Sequence, residues 1–97
     1  MSTDARTRLA HHADRYRENA ASLERIAERA ERDAADPSPS MSAQRSSAAD
    51  LAATCRDRAS DWYALTELAQ ACSRLPAHYP AAHLVTALQR FARELES

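Results

Sequence analysis

A short proline-rich stretch near the middle of the chain decides the fold: Asp36-Pro37-Ser38-Pro39-Ser40-Met41. Proline has no amide proton for a helical hydrogen bond, and it disfavours helical geometry in the residue before it. Two prolines this close together therefore end any helix that enters the stretch. Long proline-free segments lie on both sides. We therefore expect a linker at 36–41 that joins two long helices into an antiparallel hairpin.

The segment before the linker has the pattern of a long amphipathic helix. It contains neither glycine nor proline, and Ser2 or Thr3 offers an N-cap, which predicts a helix over 3–35. Its apolar positions alternate steps of four and three residues: Leu9, Ala13, Tyr16, Ala20, Leu23, Ala27, Ala30 and Ala34. This spacing is the heptad repeat of a coiled coil. The alternation of large residues with alanine favours close approach of a partner helix.

The segment after the linker predicts a second helix over 42–74, ended by Pro76. Its start could lie at Ser40, Ser42 or Ser47, because each can serve as an N-terminal residue. One face carries seven apolar residues at heptad-like steps: Ala48, Leu51, Cys55, Trp62, Leu65, Ala69 and Cys72.

An antiparallel pairing of the two faces sets large residues against small ones, as dense packing requires. It places Tyr16 opposite Trp62 and Ala27 opposite Leu51. The exception is Ala20, which would face Arg58 unless the neighbouring Ala59 rotates into the interface.

A third helix is predicted over 80–95, with an apolar stripe of Leu84, Leu88, Phe91 and Leu95. We expect residues 1–97 to form one all-α domain, in which this short helix makes a three-helix bundle with one end of the hairpin. The linker end of the hairpin would remain two helices thick. A second copy of the chain is the simplest cover for it, which predicts a homodimer forming a larger bundle.

Composition excludes several classes of function. The chain contains no glycine, so the glycine-rich phosphate loops are ruled out. Its net charge is −1, which gives no global attraction to nucleic acid or to an anionic membrane surface. No apolar stretch could span a bilayer and no signal-peptide pattern is present, so we expect a cytoplasmic protein. All 13 basic residues are arginine, which we interpret as the codon bias of a GC-rich, bacterial genome.

Candidate chemistry is sparse, and we expect no cofactor. Cys55 and Cys72 fall on one helix about 25 Å apart, so they cannot form a disulfide and are expected to be reduced. Cys72, His78 and His83 lie within twelve residues of one another, which leaves a Cys/His metal-binding module as a minor alternative. No nucleophile with a neighbouring base can be identified, which argues against an enzyme.

These observations favour a non-enzymatic helical protein–protein interaction module, such as an adaptor, an assembly factor or a regulatory subunit, acting as a homodimer. Five residues are expected to contact the partner: Ile26, Met41, Leu51, Tyr63 and Leu68. The competing hypothesis is a small helical enzyme or ligand binder with an arginine-rich pocket at a dimer interface.

Overall fold

The structure is a computed structural model that describes residues 5–76 and 80–96. It has three α-helices: α1 spans Ala5–Ala34, α2 spans Ser42–Ser73 and α3 spans Ala81–Glu96. A 3₁₀ turn at Pro39–Met41 leads into α2, and no β-strand occurs in the described ranges. Helices α1 and α2 pack along their lengths, and α3 packs on one half of this hairpin. The predicted all-α class, with a long hairpin and a short third helix, is confirmed.

Side chains close the turn between α1 and α2. The Asp36 carboxylate accepts a hydrogen bond of 2.9 Å from the Ser38 amide, and hydrogen bonds from the Ser38 side chain and amide lower the pKa of Asp36. The Arg45 guanidinium donates to the carbonyl oxygens of Asp36 and Ser38, at 2.8 and 3.1 Å. No described residue has a positive φ. The chain therefore reverses without glycine, since side chains occupy the main-chain polar groups that the turn leaves open.

The interface between α1 and α2, here called the seam, is built mainly from alanine. On α1, Leu9, Ala20 and Ala27 are 0% exposed, and Ala13 and Ala30 are also buried. Tyr16 meets Trp62 with ring centroids 5.6 Å apart and planes tilted by 37°. The predicted pairing of these two rings is confirmed. Small residues on both sides let the backbones come close, which offsets the scarcity of large apolar side chains.

The predicted face of α2 is wrong in its linker-side half. Ala52 and Ala59 are buried at 5% and 2% exposure, whereas Leu51 is 49% exposed and Arg58 is exposed. Burying an unpaired guanidinium is costly, so the helix turns Ala59 rather than Arg58 into the seam. Leu51 belongs to the same row as Arg58, and Ala52 is buried in its place, while Cys55 and Trp62 keep their predicted positions. Ala52, Cys55, Ala59 and Trp62 therefore follow a strict three–four alternation.

The third helix buries a stripe shifted by one residue from the predicted one. Val85, Leu88 and Ala92 are buried at 4%, 2% and 9% exposure, and Leu84 and Leu95 pack beside them. The assignment of Phe91 to the core is wrong, since its side chain is 60% exposed. The buried stripe is turned toward Val85 and Ala92. Leu84 and Leu95, eleven residues or about three turns apart, lie together on one side of it, the side that Phe91 also occupies. Leu9, Leu65 and Cys72 join the same core cluster.

The polar groups of this core are satisfied. Buried Thr66 donates its hydroxyl proton to the Trp62 carbonyl oxygen at 2.8 Å. Cys55 and Cys72 are both buried and free, which confirms the expected absence of a bond between them. Within the described ranges, none of the helices has the length and apolar character needed to cross a bilayer.

The alanine seam predicts a strong penalty for added volume. We expect Ala20→Leu to lower the free energy of unfolding by about 1–3 kcal/mol, because the larger side chain forces α1 and α2 apart. Urea denaturation followed by circular dichroism measures this change. The matched control is Ala10→Leu on the exposed side of α1, which should leave stability nearly unchanged. Equal effects of the two substitutions would contradict the close packing of the seam.

Candidate functional site

The two sides of the hairpin differ in how they are covered. On one side, ionic and polar contacts bridge α1 and α2. The Arg56 guanidinium lies 2.6 Å from a Glu31 carboxylate oxygen. Further along, burial and then a hydrogen bond with Glu24 raise the pKa of Tyr63. Half-buried Tyr63 packs against the core here. These contacts close most of this side, and a shallow depression lined mainly by alanine remains beside Arg56.

The other side carries α3, which covers only half of the hairpin. Helix α3 has 16 residues against 30 in α1, or about 24 Å against about 45 Å at 1.5 Å per residue. At the C-terminal end of α3, the Arg58 guanidinium of α2 donates a hydrogen bond of 2.8 Å to the Leu95 carbonyl oxygen. A shallow pocket at this point is lined by residues of all three helices, including Asn19, Leu23 and Arg58.

Beyond the end of α3 the same side of the hairpin becomes apolar. Residues seven apart on a helix lie on one strip, two turns or about 10 Å from each other. Two turns from Asn19 toward the linker is Ile26, and two turns from Arg58 in the same direction is Leu51. These side chains are 46% and 49% exposed. With half-buried Leu23 they form an uncovered surface, here called the hairpin groove: Leu23, Ile26 and Leu51.

Small neutral side chains border most of the hairpin groove. The outer neighbours of Ile26 and Leu51 at helical spacing are Ser22, Arg29, Ser47 and Thr54, and all four are exposed. Asp33 follows one step nearer the linker and is also exposed. The groove thus has an apolar centre and a rim with one charge of each sign, the usual anatomy of a protein-binding surface.

The five residues predicted to contact a partner do not form one surface. Ile26 and Leu51 share the hairpin groove. Leu68 is 46% exposed, but it lies in a depression beside α3 with Phe91 and Leu95. Tyr63 is on the closed side of the hairpin, and half-buried Met41 lies where the 3₁₀ turn meets α2. Only the first pair is brought together.

A metal site gains no geometric support. Within residues 5–76 and 80–96, no three potential ligands come together in a way that could hold a metal ion. Cys72 is buried in the core and His83 is exposed on α3. His78, the remaining residue of the proposed set, lies outside the described residues.

Comparisons of this chain with protein-family models, with curated proteins and with solved structures find no match.

The contact at the end of α3 gives a local prediction. Arg58→Met removes the donor to Leu95, and the last turn of α3 should then exchange its amide hydrogens severalfold faster, because terminal carbonyls lose a partner. Global stability should fall by less than about 1 kcal/mol, since the contact is exposed. Native-state hydrogen exchange measures both effects. Arg90→Met on the exposed side of α3 is the control, and equal acceleration there would contradict this role of Arg58.

Proposed function

We propose that the protein is a non-enzymatic helical interaction module that works as a homodimer, joined through the hairpin groove of each copy. One observation carries the proposal: Ile26 and Leu51, two of the few large apolar residues in the chain, are about half exposed on adjoining strips where α3 ends. Exposed apolar residues that occur together mark interaction surfaces, while single ones need no explanation.

The chemistry of the groove favours a second copy as its occupant. In a two-fold dimer the same patch meets itself, so a patch with a net charge of one sign would repel its copy. Serine and threonine make up most of this rim, and its charged members are Arg29 and Asp33. A further positive charge, Arg58, lies at the α3 end, where the Leu95 carbonyl oxygen accepts a hydrogen bond from it. An antiparallel arrangement can bring Arg29 of one copy toward Asp33 of the other. The apolar centre of one copy can therefore meet that of the other, and the two charges of the rim can pair across the interface.

Continuity with the bundle supports the same arrangement. The α3 half of the hairpin is a three-helix bundle, whereas the linker half has two helices and a one-layer core. Pairing two linker halves would create a four-helix bundle, which buries both apolar strips. Cytoplasmic adaptor, assembly or regulatory roles are compatible with such a dimer.

The area of the uncovered half of the hairpin sets the expected affinity of the dimer. The uncovered half of the hairpin is roughly 20 Å long and two helix diameters or about 20 Å wide, which corresponds to about 400 Å² on each copy. The total of about 800 Å² is smaller than the roughly 1,200 Å² at which stable interfaces begin. We therefore expect a weak, reversible dimer that forms at high micromolar to submillimolar concentration.

Self-association should respond to charge placed in the groove. Sedimentation equilibrium over a range from low micromolar to submillimolar protein should show the monomer–dimer transition. Ile26→Glu or Leu51→Glu should weaken it by about tenfold or more, because each dimer would bury two unpaired carboxylates. Circular dichroism should show unchanged helicity, since both side chains are half exposed.

Leu68→Glu is the matched control. Leu68 lies on the same helix as Leu51 and is equally exposed, but it is outside the hairpin groove. It should leave the dissociation constant unchanged. A wild-type protein that stays monomeric at the highest concentration would overturn the homodimer and leave the groove for a different partner. A dimer broken by Leu68→Glu and not by Ile26→Glu would overturn the site.

A further inference from the structure

A polar cleft runs between α1 and α3, on the half of the hairpin that α3 covers. It encloses about 190 Å³. Its floor is apolar and well packed, since Tyr16 and Ala92 line it and are both buried. The imidazole of His12 stacks on the Tyr16 ring, with centroids 5.9 Å apart and planes 13° from parallel. The floor is thus held in place by the core beneath it.

The walls of this cleft present hydrogen-bond donors from both helices. Arg15 and Asn19 contribute from α1, and Gln89 and Arg93 contribute from α3. In the described part of the chain, neither Arg15 nor Arg93 lies within ion-pair distance of a carboxylate. Both guanidiniums are therefore available to a ligand, and this pair differs from the other exposed arginines in that one cleft brings the two together from different helices.

Positively charged side chains predominate among the charged groups around the cleft. Burial, followed by the charges of Arg15, Arg8 and His11, lowers the pKa of His12. Glu96 lines the cleft and is its one acidic group. The two arginines outweigh it, so an anion entering the cleft would meet net attraction and several donors.

We propose that the α1/α3 cleft binds a small oxyanion, namely a phosphate or carboxylate group, between Arg15 and Arg93. Arginine matches the planar geometry of such groups with two parallel N–H donors. Asn19 and Gln89 supply further donors, and the Tyr16–His12 stack gives the ligand a flat surface to lie on. The space between the two arginines can hold inorganic phosphate or a small carboxylic acid. Because the walls are exposed, binding is weak and reversible.

This site is separate from the proposed dimer surface, and its test can be separated as well. Inorganic phosphate is titrated into both the wild-type chain and the Ile26→Glu variant. Binding that appears in both proteins supports the cleft whatever the state of self-association.

His12 is the reporter for binding. Its pKa can be followed by NMR from the pH dependence of the ring signals, with inorganic phosphate or acetate added at fixed ionic strength and with chloride as the reference. A bound anion stabilises the imidazolium form, so the pKa of His12 should rise in a saturable manner. The charged groups that face His12 are Arg8, His11 and Arg15 on α1, and Arg93 and Glu96 line the cleft on the α3 side.

Substitutions locate the anion. Arg15→Gln and Arg93→Gln should each weaken phosphate binding by roughly threefold to tenfold, because each removes a charged donor from a partly exposed site. Glu96→Gln should tighten binding, since it removes the opposing charge. Arg32→Gln, at an exposed position near the linker end of α1, is the control and should change nothing. Arg15→Gln should also raise the pKa of His12 in the absence of ligand, which checks the signal assignment.

Several results would overturn the proposal. If the pKa of His12 changes linearly with added phosphate, and by the same amount in chloride, the change is an effect of ionic strength and not of binding. Equal weakening by Arg32→Gln would show a diffuse charge effect rather than a site. A saturable response to phosphate but not to acetate supports the cleft and identifies a phosphate group, while responses to both identify a general oxyanion site.

Discussion

The close contact of two long helices over a seam of alanines is the constraint on which the rest of the structure depends. With few large apolar residues, the chain cannot fill a wide interior, so α1 and α2 must approach closely along their whole length. That requirement keeps Arg58 out of the seam and places Ala59 in it. Leu51, on the same strip as Arg58, therefore lies beside the seam rather than in it. An apolar surface on the hairpin is thus a consequence of packing the seam well.

The unequal lengths of the helices decide where that surface remains open. Strips at seven-residue spacing run beside the seam on both long helices, and α3 covers them only where it reaches. Over the covered half, Leu65 and Cys72 on α2 are buried beneath α3. Over the linker half, the continuation of the same strip is Leu51. Nothing in the local sequence of Leu51 distinguishes it from these residues, and the difference in exposure arises from the length of α3 alone.

Much of the architecture could be predicted because it depends on local rules. Proline marked the break between the long helices, heptad spacing marked the seam of α1, and the Tyr16–Trp62 contact followed from antiparallel pairing. The errors at Leu51 and Phe91 both arise from ranking residues by hydrophobicity. At Leu51 the seam selects the neighbouring alanine because it is built for close approach, and on α3 the orientation of the helix buries Ala92 instead of Phe91. The cleft at Arg15 and Arg93 escaped prediction for another reason, because it forms only when α3 lies beside α1, and arginine is too frequent here to single out a pair.

The end of α3 joins the two surfaces of the molecule. Glu96 and Asn19 line both the α1/α3 cleft and the shallow pocket where α3 stops, and Arg58 holds that end through Leu95. Any partner in the hairpin groove would lie against this last turn, which also forms one wall of the cleft. The last turn of a helix has the lowest local stability, so a small molecule that binds there can change the structure at the lowest cost in free energy. The same turn therefore borders an apolar surface on one side and a polar cleft on the other. The short third helix both leaves the groove open and supplies one wall of the cleft.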